Sequence, residues 1–276
     1  MKKICKALKA IGLICKNPFL LNAVLEHEQV KKEEVVPRYS FVQGLPVLPI
    51  ERVFTDQQQV ISPYAYLSGS CMPIDIMLLK NLAKKLQVQH YFEIGTWRGE
   101  SVANVAQVVP ECTTLNLPRE EILKILPSEE YADLHGFFSK QTSNIHQIWG
   151  NSINFDFTPY QHQCDMVFID GDHHYEAVKA DTIHAVDLLR DQHSIIVWHD
   201  YAINPEMIRW SVFAGILDGL PQSMHHRLFH VSNTLCAIYL PESIQDIHVE
   251  GLQPLHIYEK PDHYFEIGLK VVKIEK

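Results

Sequence analysis

The stretch FEIGTWRGES, Phe92 to Ser101, constrains this chain most. An apolar run, HYFEIG, enters a glycine turn with the spacing Glu93-x-Gly95-x-x-x-Gly99-x-Ser101, and SVANVAQVV follows with helical periodicity. Strand, tight turn and helix start together make a nucleotide-type cradle. Glycines let backbone approach a ligand, and the unpaired N–H groups of the first helical turn face it. The spacing departs from the dinucleotide pattern G-x-G-x-x-G. A plain βα turn would look the same in isolation, so the second half of the chain decides.

That half contains CDMVFIDGDHHYEAVKADTIHAVDLLRDQHSIIVWHDY, Cys164 to Tyr201. Met166 to Ile169 is a short apolar run suited to a strand buried on both faces, and it stops at Asp170-Gly171-Asp172-His173-His174. Tyr175 to Arg190 has one apolar stripe and reads as a helix. Ser194 to Trp198 is a second apolar run, ending in His199-Asp200. Neighbouring parallel strands that end in carboxylate and imidazole place those groups in one crevice at the carboxyl edge of a sheet, where open α/β sheets bind ligands. Taken singly, Asp170 and Asp200 read as helix caps and the histidines as surface residues; two such pairs below a glycine turn favour a site.

The remaining elements fit around this frame. Residues 1–85 read as an N-terminal extension and cap: Pro37, Pro46, Pro49, Pro63 and Pro73 break its second half into loops, and Ile74 to Leu86 is helical. Strands are expected at Tyr91–Ile94, Thr113–Leu117 and Ile145–Trp149, with helical segments over Arg119–Leu126 and Glu129–Phe138. Pro205–Leu217 fits a further helix, and Arg227–Ser232 with Thr234–Leu240 an antiparallel closing pair. Strands alternating with helices mean a doubly wound, mostly parallel, seven-stranded α/β sheet with a helical and loop cap. The domain proper spans 86–240, and 241–276 is a tail packing on it, with a strand expected at Ile267–Ile274.

Composition sets outer limits. With 46% hydrophobic residues the chain can build a substantial core, and a net charge of −9 argues against a nucleic-acid partner. Cys5, Cys15, Cys71, Cys112, Cys164 and Cys236 are scattered without a CxxC pair, which favours unpaired thiols, a reducing compartment and a cytoplasmic location. Lys2, Lys3, Lys6, Lys9 and Lys16 precede the first acid, Glu26, and interrupt every apolar run, unlike a signal peptide. Ile4, Leu8, Ile11 and Cys15 share one helical face. Such a basic amphipathic helix either packs on its own domain or on a second subunit, giving a homodimer, or lies on an anionic membrane surface.

From about Asp75 to Leu240 the chain resembles the class I S-adenosylmethionine-dependent methyltransferases. It looks most similar to the group with macrocin and rhamnosyl O-methyltransferases and cephalosporin hydroxylase-like proteins. EIGTWRGES, FIDGDHHYE and VWHDY carry the match. The resemblance implies a Rossmann-like fold, S-adenosylmethionine as cofactor and a small-molecule or glycan acceptor methylated on a hydroxyl. It assigns Glu93, Gly95, Thr96, Gly99, Ser101, Asn116, Asn151, Ser152, Asp170 and Asp172 to the cofactor. A divalent cation, Mg²⁺ or Mn²⁺, would be held by Asp170, His199 and Asp200, and His173 or His199 would serve as general base. An imidazole, with an ordinary pKa of about 6.5, suits that task.

Three positions depart from the pattern. Asn116 and Asn151 stand where relatives carry acids, and His199 replaces an oxygen ligand. The alternative reading is therefore a divergent, non-catalytic relative that binds a small molecule or protein partner. A nicotinamide dehydrogenase is disfavoured by the glycine spacing and by the lack of an acid after the second strand.

Overall fold

A computed structural model describes residues 2–25, 27–56, 58–254 and 271–273. Three helices open the chain: α1 (Lys2–Lys16), α2 (Leu20–Leu25) and α3 (Glu28–Val35). An irregular stretch with a two-residue strand, β1 (Val47–Leu48), leads to α4 (Pro73–Lys85). Then come β2 (His90–Ile94), α5 (Glu100–Val105), β3 (Glu111–Asn116), α6 (Arg119–Ile125), α7 (Glu129–Leu134), β4 (Ile145–Trp149) and β5 (Met166–Ile169). The remainder comprises α8 (Tyr175–Leu188), β6 (Ile195–Trp198), β7 (Ala202–Asn204), β8 (Met207–Ile208), α9 (Trp210–Gly219), β9 (Leu228–Val231) and β10 (Ala237–Tyr239).

The main sheet runs β1-β9-β10-β6-β5-β2-β3-β4, and every neighbouring pair is parallel except those of β10, which opposes both β6 and β9. It thus has eight strands among the described residues, one more than the sequence suggests. The extra strand, β1, comes from the cap: Val47 and Leu48 pair with His230 and Val231 and cover the edge that β9 would otherwise expose. From β2 the chain winds outward through β3 and β4, then returns to β5 on the other side of β2. This reversal creates the switch point where such sheets bind ligands.

All four residues of β5 and all four of β6 are buried, as expected of strands covered on both faces. Side-chain alternation divides them between two cores. Met166, Phe168, Ile195 and Val197 pack with Leu78, Leu79 and Leu82 of α4 and Val102 and Val105 of α5. Val167, Ile169, Ile196 and Trp198 pack on the opposite face with Val178, Ala185 and Leu188 of α8 and Phe213 and Ile216 of α9.

Several expected boundaries move. The helix foreseen over Pro205–Leu217 begins only at Trp210; before it, β7 and β8 form a hairpin. Asn204 accepts a hydrogen bond from the Glu206 amide across Pro205, so the side chain stabilises a turn in place of a first helical turn. The helix after Gly99 stops at Val105, and α7 stops at Leu134, shortly before Gly136 at φ +69°. Most of the strand expected at Ile267–Ile274 lies outside the described residues, and Val271 to Lys273 have no regular structure. Helix α1 forms as its periodicity predicts, but its apolar face is bare: Ile4 is 66% exposed and Leu8 64%. Among the described residues no helix is long and apolar enough to cross a membrane.

Candidate functional site

Register builds the site. Ile94 pairs with Leu115 on one side and Ile169 on the other, and Ile169 pairs with Trp198. The residues that follow these strand ends, Gly95, Asp170 and His199, together with Asn116 at the end of β3, therefore stand in one row at the carboxyl edge. Backbone bonds lock the row: the amides of Gly95, Asp170 and His199 donate to the carbonyls of Leu115, Ile94 and Ile169.

Below the glycine turn lies a polar cluster that holds it. Glu93 is fully buried and accepts from the Tyr91 hydroxyl at 2.6 Å and from Thr114 at 3.3 Å. Burial pushes its carboxyl up to about 8, against the pull of its hydrogen bonds to Tyr91, Ser101 and Thr114. Thr96 shares a 2.7 Å hydrogen bond with Thr114. Glu93, Thr96 and Ser101 are thus buried side chains that brace the turn from beneath. Gly95 has φ +101°, and a Cβ there would lie 2.1 Å from the Asp170 carbonyl oxygen. The room left by its missing side chain is taken by the backbone at the end of β5.

The outer side of the turn is also covered. Gly136 and Phe138 donate backbone hydrogen bonds to the carbonyls of Trp97 and Arg98, and a Cβ on Gly99 would approach the Ser139 amide nitrogen to 2.9 Å. The Trp97 ring packs edge-on against His135 at 4.5 Å. His135 in turn takes Asn116: the amide nitrogen lies 2.8 Å from Nδ1. With Asn116 as donor, the imidazole proton sits on Nε2, which has no partner. Burial, with a smaller push from Lys140, lowers His135 to about 4 and keeps it neutral. Asn151 spends its side chain on a turn, accepting from the Ile153 amide and donating to Glu121. Beneath Gly171, burial pushes Asp181 up to about 7; Ser152 eases that shift, yet neither carboxylate oxygen has an aligned hydrogen bond.

The expected ion-binding trio does converge. His199 Nδ1 stands 3.0 Å from Asp170 Oδ1 and 3.5 Å from Asp200 Oδ2. Two residues join it that sequence reading passed over. Cys71 donates from Sγ to Asp170 Oδ2 at 3.1 Å, and fully buried Asp75 lies 3.1 Å from His199 Nε2. Burial lowers the His199 pKa, but Asp170 and the other acidic neighbours outweigh it and hold the imidazole well above its ordinary range. Asp200 adopts φ +58°, a strained conformation for a non-glycine residue, while His199 and Arg209 outweigh burial and keep it ionised.

His173 is exposed, and partial desolvation and Arg209 lower its pKa, leaving it neutral at pH 7. Asp172 accepts from the backbone amide of His174 and pairs with that ring. A cavity of about 540 Å³ opens between α3 and the β7–β8 hairpin, lined by Glu28 and Lys32 of α3, Leu45, Tyr201, Met207 and Trp210. None of Asp170, His173, His199 or Asp200 lines it. Tyr201 and Trp210 give it aromatic walls, whereas Tyr64 and Tyr66 stack edge-on with each other and Trp97 packs over the turn.

Residues 92–201, fewer than half of the chain, match the Methyltransf_24 family profile, a methyltransferase domain. No curated protein sequence matches the chain. Among solved structures, cofactor-bound Rv0187 from MTB shares 19% identity at a TM-score of 0.44 over 62% of this chain and 81% of that one. A Podospora anserina methyltransferase bound to SAH shares 16% at 0.44 over 66% and 84%. The O-methyltransferase TomG from Streptomyces achromogenes, in complex with SAM, shares 18% at 0.42 over 62% and 81%.

Proposed function

We propose that this chain, which carries a methyltransferase domain over residues 92–201, is an S-adenosylmethionine-dependent O-methyltransferase acting on a hydroxyl of a sugar or small secondary metabolite. The observation that carries the reading is the alignment of Gly95, Asn116, Asp170 and His199 in one row at the switch point of the sheet. The kinship with sugar O-methyltransferases belongs to the same proposal.

The residues fit the cofactor in one respect that the structure itself supplies. Trp97 Nε1, His135 Nε2 and both carboxylate oxygens of Asp181 are buried polar atoms without partners, and all border the row. Such atoms are costly unless a polar group meets them, and a nucleoside with its amine and ribose hydroxyls offers both donors and acceptors. Asn116, Asn151, Ser152 and Asp172 would hold the cofactor at the strand ends. Bound there, the cofactor supplies a methyl group activated on sulfonium. His173 accepts the acceptor hydroxyl's proton on its neutral ring, so that the oxygen attacks as the base takes charge. His199 is less suited to that task, because both its nitrogens already face carboxylates. Asp170, His199 and Asp200 form the anionic pocket into which an ion would fit, lowering the pKa of the hydroxyl.

A second reading rests on the cover over the turn. Backbone bonds from Gly136 and Phe138 close its outer face, and Asn116 is occupied by His135. A protein that kept this arrangement would be a divergent, non-catalytic fold relative binding a small molecule or protein partner. Calorimetric titration with S-adenosylhomocysteine, with and without Mg²⁺ or Mn²⁺, separates the two. Micromolar binding is expected for the enzyme; no detectable heat in either condition means the cover stays shut and the second reading holds.

A further inference from the structure

We propose that Cys71, Asp170 and His199 form a site for a divalent transition ion of the zinc class, with Asp75 as the group that aims the histidine. The location rests on the function proposed above only in placing the ion beside the acceptor; the site's donor chemistry stands without it.

The argument begins at Asp75. Its Oδ1 accepts from the Leu235 amide, and its Oδ2 accepts from the Met72 amide and faces His199 Nε2, each at 3.1 Å. A carboxylate so placed keeps a proton on Nε2, so that an ion displacing the proton on Nδ1 meets a lone pair aimed into the crevice. Metal-bound histidines are commonly oriented by such a carboxylate. Nδ1 then lies 3.0 Å from Asp170 Oδ1 without an aligned hydrogen bond. In a side chain only 9% exposed, that nitrogen and that carboxylate call for a positive charge between them, a ring proton while no ion is bound and the ion itself once it takes the proton's place. Cys71 brings the third donor to the same spot: its Sγ, a carboxylate oxygen of Asp170 and a ring nitrogen of His199 all lie within 4.8 Å of one another. Ligands bound tetrahedrally at about 2.0–2.3 Å stand roughly 3.3–3.7 Å apart, so small side-chain rotations close this set on an ion.

Cys71 is not there by accident of a loose loop. Ser70 donates to Glu100, which is paired with Arg98, both side chains 5% exposed, and the Tyr64 hydroxyl donates to the Cys71 carbonyl. The glycine-turn residues Arg98 and Glu100 thereby hold the thiol in place. One sulfur, one nitrogen and one oxygen do not suit Mg²⁺, which demands oxygen ligands in octahedral order. They suit Zn²⁺ or Co²⁺, and three protein ligands leave a fourth position open for water or an acceptor hydroxyl. On binding, the Sγ proton is released to solvent and the sulfur coordinates as thiolate.

Metal-stripped protein titrated with Co²⁺, a coloured stand-in for zinc, tests this directly. A thiolate-to-cobalt charge-transfer band should appear, vanish in Cys71→Ser, persist in the Cys5→Ser/Cys15→Ser double variant, and be displaced by Zn²⁺ but not by excess Mg²⁺. Asp75→Asn should weaken Zn²⁺ binding about 10–100-fold. No band in the unaltered protein, or a band that survives Cys71→Ser, overturns the site; the cluster is then an imidazolium held by carboxylates. S-adenosylhomocysteine titrated into the same samples reads separately: cobalt binding without nucleoside binding sinks only the methyltransferase reading, and the reverse sinks only the metal.

Discussion

Glu93 is a carboxyl group with no exposure to water, paired to the Tyr91 hydroxyl. Unfolded, it ionises near 4.5; folded, it holds its proton up to about 8. Between these values the folded state binds the extra proton, so stability falls as pH rises, by up to about 1.4 kcal/mol per pH unit. Glu93→Gln should flatten that slope in denaturant unfolding measured from pH 5 to 8. A variant slope equal to the parent's would show that Glu93 ionises as readily folded as unfolded. Asp181, pushed up to about 7, adds a slope of the same sign that this variant retains. Two further outcomes belong to single residues. His173→Ala should lower kcat about 10²–10⁴-fold with S-adenosylhomocysteine affinity unchanged; undiminished turnover would remove it from the reaction. Gly95→Val should destabilise the fold by about 3 kcal/mol or more, because the new side chain meets the Asp170 backbone and φ is +101°. If the variant instead melts like the parent and loses only nucleoside affinity, the close packing at that turn is not what Gly95 secures.

At the scale of elements, α1 stands apart. None of its described side chains is buried, whereas α3 contributes Val35 to the core and its Glu28 accepts from the Trp210 amide. Deleting residues 2–17 should therefore shift the unfolding midpoint negligibly, within about 0.5 kcal/mol, as for surface changes. A loss of several kcal/mol would mean that the helix packs on something after all. The elements also show what could be read from sequence alone. Strands β5 and β6 and the helix between them were legible because their patterns are local: four apolar residues in a row, or one stripe at helical spacing. Asp170, His199 and Asp200 were legible for the same reason, each following a readable strand end. The hairpin β7–β8 was not, since Met207, Ile208 and Trp210 fit helical spacing equally well and the Asn204 turn decides. Cys71 and Asp75 were invisible as site residues. Asp75 reaches His199 across 124 residues of sequence and Cys71 reaches Asp170 across 99, and nothing near either announces the contact.

At the scale of the molecule, the cap and the sheet share their cores. Leu48, Ile50 and Val53 belong to the core on the α4 face, Val35 and Leu45 to the one on the α9 face, and β1 completes the sheet. Arg38 and Tyr39 also reach Asp218 at the end of α9. Calorimetry should accordingly show one transition with equal van't Hoff and calorimetric enthalpies. Two resolved transitions would make residues 27–85 a separate folding unit. The pairing of Val47 and Leu48 with His230 and Val231 also has a consequence in time. The first strand to leave the ribosome is among the last to find a partner, because its partners in β9 are made 183 residues later. At the usual 5–20 residues per second that interval is roughly ten to forty seconds. Through it Leu45, Leu48 and Ile50 remain exposed to every other nascent chain, so yield in the cell should depend on chaperone supply more steeply than the finished fold's stability suggests.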